Sequence, residues 1–296
     1  MTRPSRTFDS FFSGQSRRFL LRGLELALAE DGEDLTSRAV FGPEDRCSAE
    51  LVAKERAVAA GLPLVPLVLD MVQPGAGRGV RLLAREGEEL APGAVVATLD
   101  CPTLALLKAE RVFLNLVCRL SGIATLTARY VRELEGARTR LLDTRKTTPG
   151  LRHAEKYAVL CGGGENHRMD LEEMLMLKDN HIDHAGGIAP AVAALRRAYA
   201  PCPPVVAECR TDAEVREAVA AGADRILLDN MDAEGLRRAL ALIPEGVASE
   251  ASGGVSLENI RQIALLGPDY ISVGRLTHSA PAADFSLRMA KPRPTR

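Results

Sequence analysis

Between Asp143 and Ile182 the chain reads DTRKTTPGLRHAEKYAVLCGGGENHRMDLEEMLMLKDNHI, which sets Arg145, Lys146, His167, Arg168 and Lys178 among glycines and short polar residues. Arginine presents a rigid fork that fits a carboxylate or phosphate, and lysine a compact point charge. Several of each, on turns where glycine lets backbone come close to a ligand, suit a small molecule with more than one negative charge. The alternative is a solvated surface with ordinary charges. Net charge does not decide between them, because the stretch holds six Lys/Arg and seven Asp/Glu. Placement does. TRKTTPG follows the apolar LLD at once, and KDNH follows MLML.

A second constellation lies downstream. VVAEC, RILLDN, VASEAS and YISVG read as short strands separated by helical stretches, and Glu208, Asp229, Ser252 and Gly274 at their ends stand 21, 23 and 22 positions apart. Thr211 and Glu214 have capping-box spacing at the start of one helix, and SLENIRQIALLG reads as another, starting near Ser256. Repetition of a βα unit of this length predicts a parallel sheet closed, or nearly closed, into a barrel; a doubly wound open sheet shares much of the pattern. Barrel chemistry gathers at the carboxyl ends of the strands, where Arg145, Lys178, Glu208, Asp229, the Ser252-Gly253-Gly254 run and Gly274 would all fall. Glycines between a strand and a helix let backbone N–H groups close on a phosphate, although SGG taken alone is more often a plain turn. Glu208 and Asp229 beside a phosphate would repel each other and the ligand unless a hard cation such as Mg²⁺ sat between them. Asp229 could instead simply cap the helix that follows.

The first half is organised differently. RCSAELVAKE, RGVRLLARE and AVVATLD look extended, and Pro102 to Leu134 reads as long helical material with a break at Ser121-Gly122. The resulting fold class is α/β: an N-terminal α+β sandwich domain over 1–120, and an open or incomplete (β/α) barrel over 121–277. Residues 278–296 are expected to pack back on the first domain.

Composition bounds the function. A chain of 296 residues with 46% hydrophobic content and a mean hydropathy near zero is of enzyme size and globular. A formal charge of −1, no Trp and 4% aromatic residues argue against a nucleic-acid partner and give no electrostatic case for anionic lipid. Six cysteines without a CxxC pair read as reduced thiols, Cys161 beside the triple glycine being the best placed for catalysis although a structural role is the plainer reading. Gly61 to Val72 is apolar but too short to span a bilayer, and the Arg-rich N-terminus (Arg3, Arg6, Arg17, Arg18, Arg22) lacks a clean amphipathic pattern. The expectation is a cytoplasmic protein without a membrane partner.

DTRKTTPGLR, EKYAV, GGGENHR and LKDNH resemble the signature of the quinolinate phosphoribosyltransferases. LALAEDGEDLTS (26–37), AERVFLNL (109–116), LLDNM (227–231), EASGGV (250–255) and ISVGRLTHSAPAADFSL (271–287) are similar to further segments of that family, in family order. The resemblance implies transfer of the phosphoribosyl group of phosphoribosyl pyrophosphate to quinolinate with decarboxylation, a step of NAD biosynthesis. It implies that Arg145, His167, Arg168 and Lys178 hold the two carboxylates of quinolinate, with Lys146 near the reacting groups and pyrophosphate. Glu208 and Asp229 would bind Mg²⁺ and the ribose region, and Ser252, Gly253, Gly254, Gly274 and His278 the phosphates. Lys146, Lys178, Glu208 and Asp229 are the residues expected to act on the reacting centre. Arg111 would reach into the neighbouring subunit's site in a homodimer, which could assemble further, and His181 and His184 would not be metal ligands. The likeness departs at Val206, where the family usually carries a second acidic residue. Two other readings keep the fold: a molybdate-operon paralogue with another substrate, and a Schiff-base aldolase on Lys146 or Lys178. A non-catalytic phosphosugar-binding protein is the reading from another class.

Overall fold

The computed structural model describes residues 7–290. Arg3 and Arg6 of the N-terminal arginine cluster, and 291–296 of the segment expected to pack back, lie outside the described residues. Two compact units are built from interleaved pieces of chain. The first takes described residues 7–128, 147–163 and 276–290, and the second takes 129–146 and 164–275.

The chain opens with helices α1 (Phe8–Phe11), α2 (Gly14–Glu30) and α3 (Leu35–Val40). Strands β1 (Arg46–Ala53) and β2 (Ala57–Val58) precede α4 (Leu64–Val72), β3 (Val80–Leu82), β4 (Glu89–Leu90), β5 (Val95–Pro102) and the long α5 (Thr103–Glu133). After β6 (Arg140–Leu142), helix α6 (Arg152–Cys161) returns to the first unit. Next come β7 (Leu175–Leu177), α7 (Asp179–Ala185), α8 (Ile188–Ala198), β8 (Val205–Cys209), α9 (Asp212–Ala220), β9 (Arg225–Asp229) and α10 (Ala233–Leu240). The chain closes with β10 (Ala248–Ser252), α11 (Ile260–Leu265), β11 (Tyr270–Ser272), α12 (Arg275–His278) and β12 (Phe285–Met289).

In the first unit β12, β1, β5 and β3 form an antiparallel sheet in that order. Helix α5 buries a stripe of Leu106, Ala109, Phe113, Val117, Leu120 and Ala124 at three- and four-residue spacing. By length and composition α5 could cross a bilayer, but that stripe accounts for its apolar character within the unit. The expected break at Ser121-Gly122 is absent, and the helix runs straight through. Both residues serve a close approach instead. Ser121 Oγ accepts the N–H of Ala60 (3.1 Å) and donates to its carbonyl (3.2 Å). A Cβ on Gly122 would lie 1.9 Å from the Pro281 carbonyl oxygen. Gly122→Ala should therefore destabilise the fold. Overpacking against rigid backbone costs about 1–3 kcal/mol or more, against the ~1 kcal/mol of helix propensity that alanine returns. A lowered denaturation midpoint is expected; an unchanged or raised one would show that the chain near Pro281 yields freely.

The second unit is a parallel sheet in the order β6-β11-β10-β9-β8-β7. A doubly wound sheet reverses its strand order at a switch point. Here the order runs on without reversal and the first strand lies beside the last, so the sheet is rolled into a barrel. Glu165 adds a one-residue bridge on the far side of β6, with Asp143 N–H donating to its carbonyl (3.1 Å). Among the described residues no pairing joins Glu165 to β7, and the barrel stays open there. The base of the sheet is polar: the guanidiniums of Arg140 and Arg225 each lie 4.2 Å from the Tyr270 ring centroid.

One helix starts later than the sequence suggests. The α-helix after β10 begins at Ile260, not near Ser256. Asn259 closes the intervening turn, its Oδ1 accepting the Ser256 N–H (2.8 Å) and its amide donating to the Gly254 carbonyl (2.9 Å). Gly253 and Gly254 therefore do not abut a helix N-terminus.

Candidate active site

The carboxyl ends of the second unit's strands surround one cavity of about 540 Å³. Glu208 is the penultimate residue of β8, Asp229 the last of β9 and Ser252 the last of β10, while Arg145-Lys146 and Lys178 follow β6 and β7. These residues line the cavity with His167, Arg168, Gly253 and Gly254. The two stretches of the Asp143–Ile182 segment meet through Asp143. Its buried carboxylate accepts the Asn166 side-chain amide and the His167 N–H, both at 2.8 Å, which pins the GGGENHR loop to the end of β6. At the mouth of α7 the Lys178 N–H donates to His181 Nδ1 (3.1 Å), so that imidazole serves the backbone.

Three expected site residues are not among those that line this cavity. Gly274 sits between β11 and α12, and His278 Nδ1 lies 2.6 Å from Ser279 Oγ. Arg111 is exposed on α5 and lines a depression of the first unit with Leu26, Asn115, Pro149 and Leu151. Val206 is buried and paired in register with Arg225.

Like charges are crowded on both sides of the cavity. Burial, and then the Arg145 guanidinium, hold Arg168 below the usual arginine range. Burial, and then Asp229, push the Glu208 carboxyl above its usual range, with Lys178 and Lys146 pulling against that rise. Asp229 does not cap the next helix, because Asp232 does so by accepting the Gly235 N–H (2.7 Å). Its carboxylate takes the Asn230 amide (2.8 Å) and otherwise faces the cavity. Groups arranged to disfavour one another in a cleft mark a site that a ligand completes.

The repulsion has a measurable consequence. Where both acids are ionised the folded state bears their mutual cost, and that cost disappears as pH falls through the raised pKa of Glu208. Asp229→Asn should therefore make the ligand-free protein at least as stable as the wild type at neutral pH, with the gain vanishing in acid. Denaturant titrations at two pH values test this; a neutral-pH loss of stability would mean that Asp229 supports the fold.

Sequence reasoning overlooked six lining residues: Thr144, Met176, Leu227, Asn230, Glu250 and Ser272. Strand parity could have found four of them. Met176 lies two positions before Lys178, Leu227 two before Asp229, Glu250 two before Ser252 and Ser272 two before Gly274, and alternate strand residues share a face. Asn230 carries another kind of signal. Among the described residues it is the one non-glycine with positive φ (53°), a conformation that asparagine tolerates better than most. Its Oδ1 sits where a Cβ on Gly253 would be, 2.2 Å away, and Gly253 has φ of 87°. Alanine at 253 is excluded twice over.

An open α/β barrel with a pole of arginine, lysine and paired carboxylates is the architecture of an enzyme acting on a small polyanion. Residues 34–121 match the quinolinate phosphoribosyl transferase N-terminal domain and residues 123–288 its C-terminal domain. A probable nicotinate-nucleotide pyrophosphorylase [carboxylating] of Bacillus subtilis is 43% identical over 254 residues, covering 86% of this chain and 87% of that protein. The human nicotinate-nucleotide pyrophosphorylase [carboxylating] is 40% identical over 267 residues, covering 88% and 89%. The crystal structure of NadC from Streptococcus pyogenes superposes with a TM-score of 0.87 at 39% identity, covering 94% of this chain and all of that one. The chain belongs to the quinolinate phosphoribosyltransferase family.

Proposed function

We infer that this protein transfers the phosphoribosyl group of phosphoribosyl pyrophosphate to quinolinate, releasing pyrophosphate and carbon dioxide and forming nicotinate mononucleotide. Family membership supports this reading, and one observation of the site carries it: Arg145 and Arg168 crowd each other where a dicarboxylate would relieve both. Arg145, Arg168 and Lys178 bind the carboxylates. Lys146 stands toward the ribose and pyrophosphate, and the loop Ser252–Gly254 offers backbone to a phosphate. As the bond from C1 of the ribose to pyrophosphate breaks, the pyridine nitrogen attacks C1, and the cations hold both partners in line. The ring nitrogen is then positively charged. The bond from C2 to its carboxylate breaks, carbon dioxide leaves, and the electron pair on C2, stabilised by the adjacent cationic nitrogen, takes a proton from water.

The paired carboxylates fit a hard cation, since burial and the neighbouring Asp229 carboxylate raise the cost of ionising Glu208 and Mg²⁺ takes one or two carboxylates plus substrate oxygens. Mg²⁺ held there would draw off the negative charge that gathers on the departing pyrophosphate. Asp229→Asn should accordingly keep the fold and quinolinate binding but lose most turnover. Full activity in that variant, or in excess chelator, would contradict a metal at these acids.

We place Arg111 in the site of a second subunit of a homodimer. Its exposed position on α5, beside the exposed Leu26, supports this reading. Six free thiols support a reducing, cytoplasmic setting. Release of pyrophosphate that depends on both quinolinate and phosphoribosyl pyrophosphate tests the function.

A further inference from the structure

Asn230 makes the turn that follows β9, with its backbone in the left-handed region. Glycine would take that backbone without steric cost, whereas a side chain there disfavours it. An outlier of this kind at the wall of a cleft points to function. Asn230 is exposed, so burial of its side chain does not offset the cost. Its contacts give the side chain a task instead.

The Asn230 Nδ2 donates to Asp229 Oδ2 at 2.8 Å. A carboxylate accepts only, so this bond fixes which way the amide faces and turns Oδ1 toward Gly253. There the amide fills the space that a side chain at 253 would need. The Asn230 N–H also donates to the Ser252 carbonyl (2.9 Å), one step beyond the in-register pair of Asp229 and Ser252. At the far end of the same turn the Asn259 amide holds the Gly254 carbonyl. The Ser252–Gly254 backbone is thus pinned at both ends, and the residue at its near end also holds a carboxylate of the cavity.

We propose that Asn230 is a positioning residue that sets the Asp229 carboxylate against the Ser252–Gly254 turn at the spacing a phosphoribosyl group spans. The inference rests on the phosphoribosyl-transfer reading above and deepens it, because it assigns recognition of one substrate to one junction. Asn230 joins β9 to β10 in the middle of the sheet. Arg145, Arg168 and Lys178 are carried by segments that follow β6 and β7, the strands at the two edges. A fault at Asn230 should therefore reach the phosphoribosyl substrate and spare quinolinate. If Asn230 served only the chain reversal, any residue that accepts a left-handed backbone would replace it.

Asn230→Gly and Asn230→Asp in the full-length protein separate these roles. Both residues accept the left-handed backbone; glycine deletes the amide, and aspartate keeps its shape but sets a second carboxylate against Asp229. In each variant the KM for phosphoribosyl pyrophosphate should rise ~10-fold or more, since a misplaced binding group is that costly, while the KM for quinolinate stays within about 2-fold of wild type. Calorimetry without added metal gives a readout free of turnover: affinity for nicotinate mononucleotide, whose phosphate would sit on the same turn, should fall in both variants. With an active wild type, an unchanged KM for phosphoribosyl pyrophosphate and unchanged product affinity in both variants would overturn the proposal. An equal rise in the KM of both substrates would overturn it too, as the mark of a general structural role. Inactivity of the wild type on the two substrates would instead bring down the phosphoribosyl-transfer reading itself. Should one variant fail to fold, the other carries the test.

Discussion

Homodimers of Arg111→Ala and of Lys178→Ala should each be nearly inactive, and mixing the two should restore activity. With Arg111 acting in the partner's site and Lys178 in its own, a mixed dimer has one site with both defects and one with neither. Random exchange makes half of the dimers mixed, so roughly a quarter of wild-type sites should return, as a two-fold symmetric interface requires. Were both residues to serve one subunit's site, no mixture could recover. Co-refolding or coexpression, followed by pyrophosphate release, makes the test, and absence of recovery despite proven subunit exchange removes Arg111 from the partner's site.

Nicotinate should be used at least ~10²-fold less efficiently than quinolinate. It lacks the 2-carboxylate, which leaves one of the crowded cations Arg145 and Arg168 unanswered in a partly buried pocket. A site built for a charged group rejects the analogue without it far more strongly than a pocket rejects a missing methylene. Comparable kcat/KM on the two acids would contradict the assignment of these arginines.

The parts of this site that were legible in the sequence are those set by periodicity. Glu208, Asp229 and Ser252 stand out because each ends an apolar run one βα unit from the next, and the cations because they follow apolar runs directly. Those residues do line one cavity. Glu250 was hidden by the same logic. It lies inside a strand rather than at its end, and its partners Arg225 and His167 come from separate parts of the chain. Asp143 escaped notice because its role is a loop contact with Asn166 and His167, more than twenty positions on. The two misread local features share a cause. At Ser121-Gly122 and in the turn before Ile260 local propensity points one way and a specific contact decides the other: backbone approach at Pro281, and the Asn259 side chain.

Phosphoribosyl transfer and decarboxylation should be coupled in one reaction. The direct measurement is incubation of the protein with phosphoribosyl pyrophosphate, Mg²⁺ and quinolinate labelled in its 2-carboxylate. Nicotinate mononucleotide, pyrophosphate and labelled carbon dioxide are expected in equal amounts. Pyrophosphate release without labelled carbon dioxide, or no consumption of quinolinate at all, would contradict it.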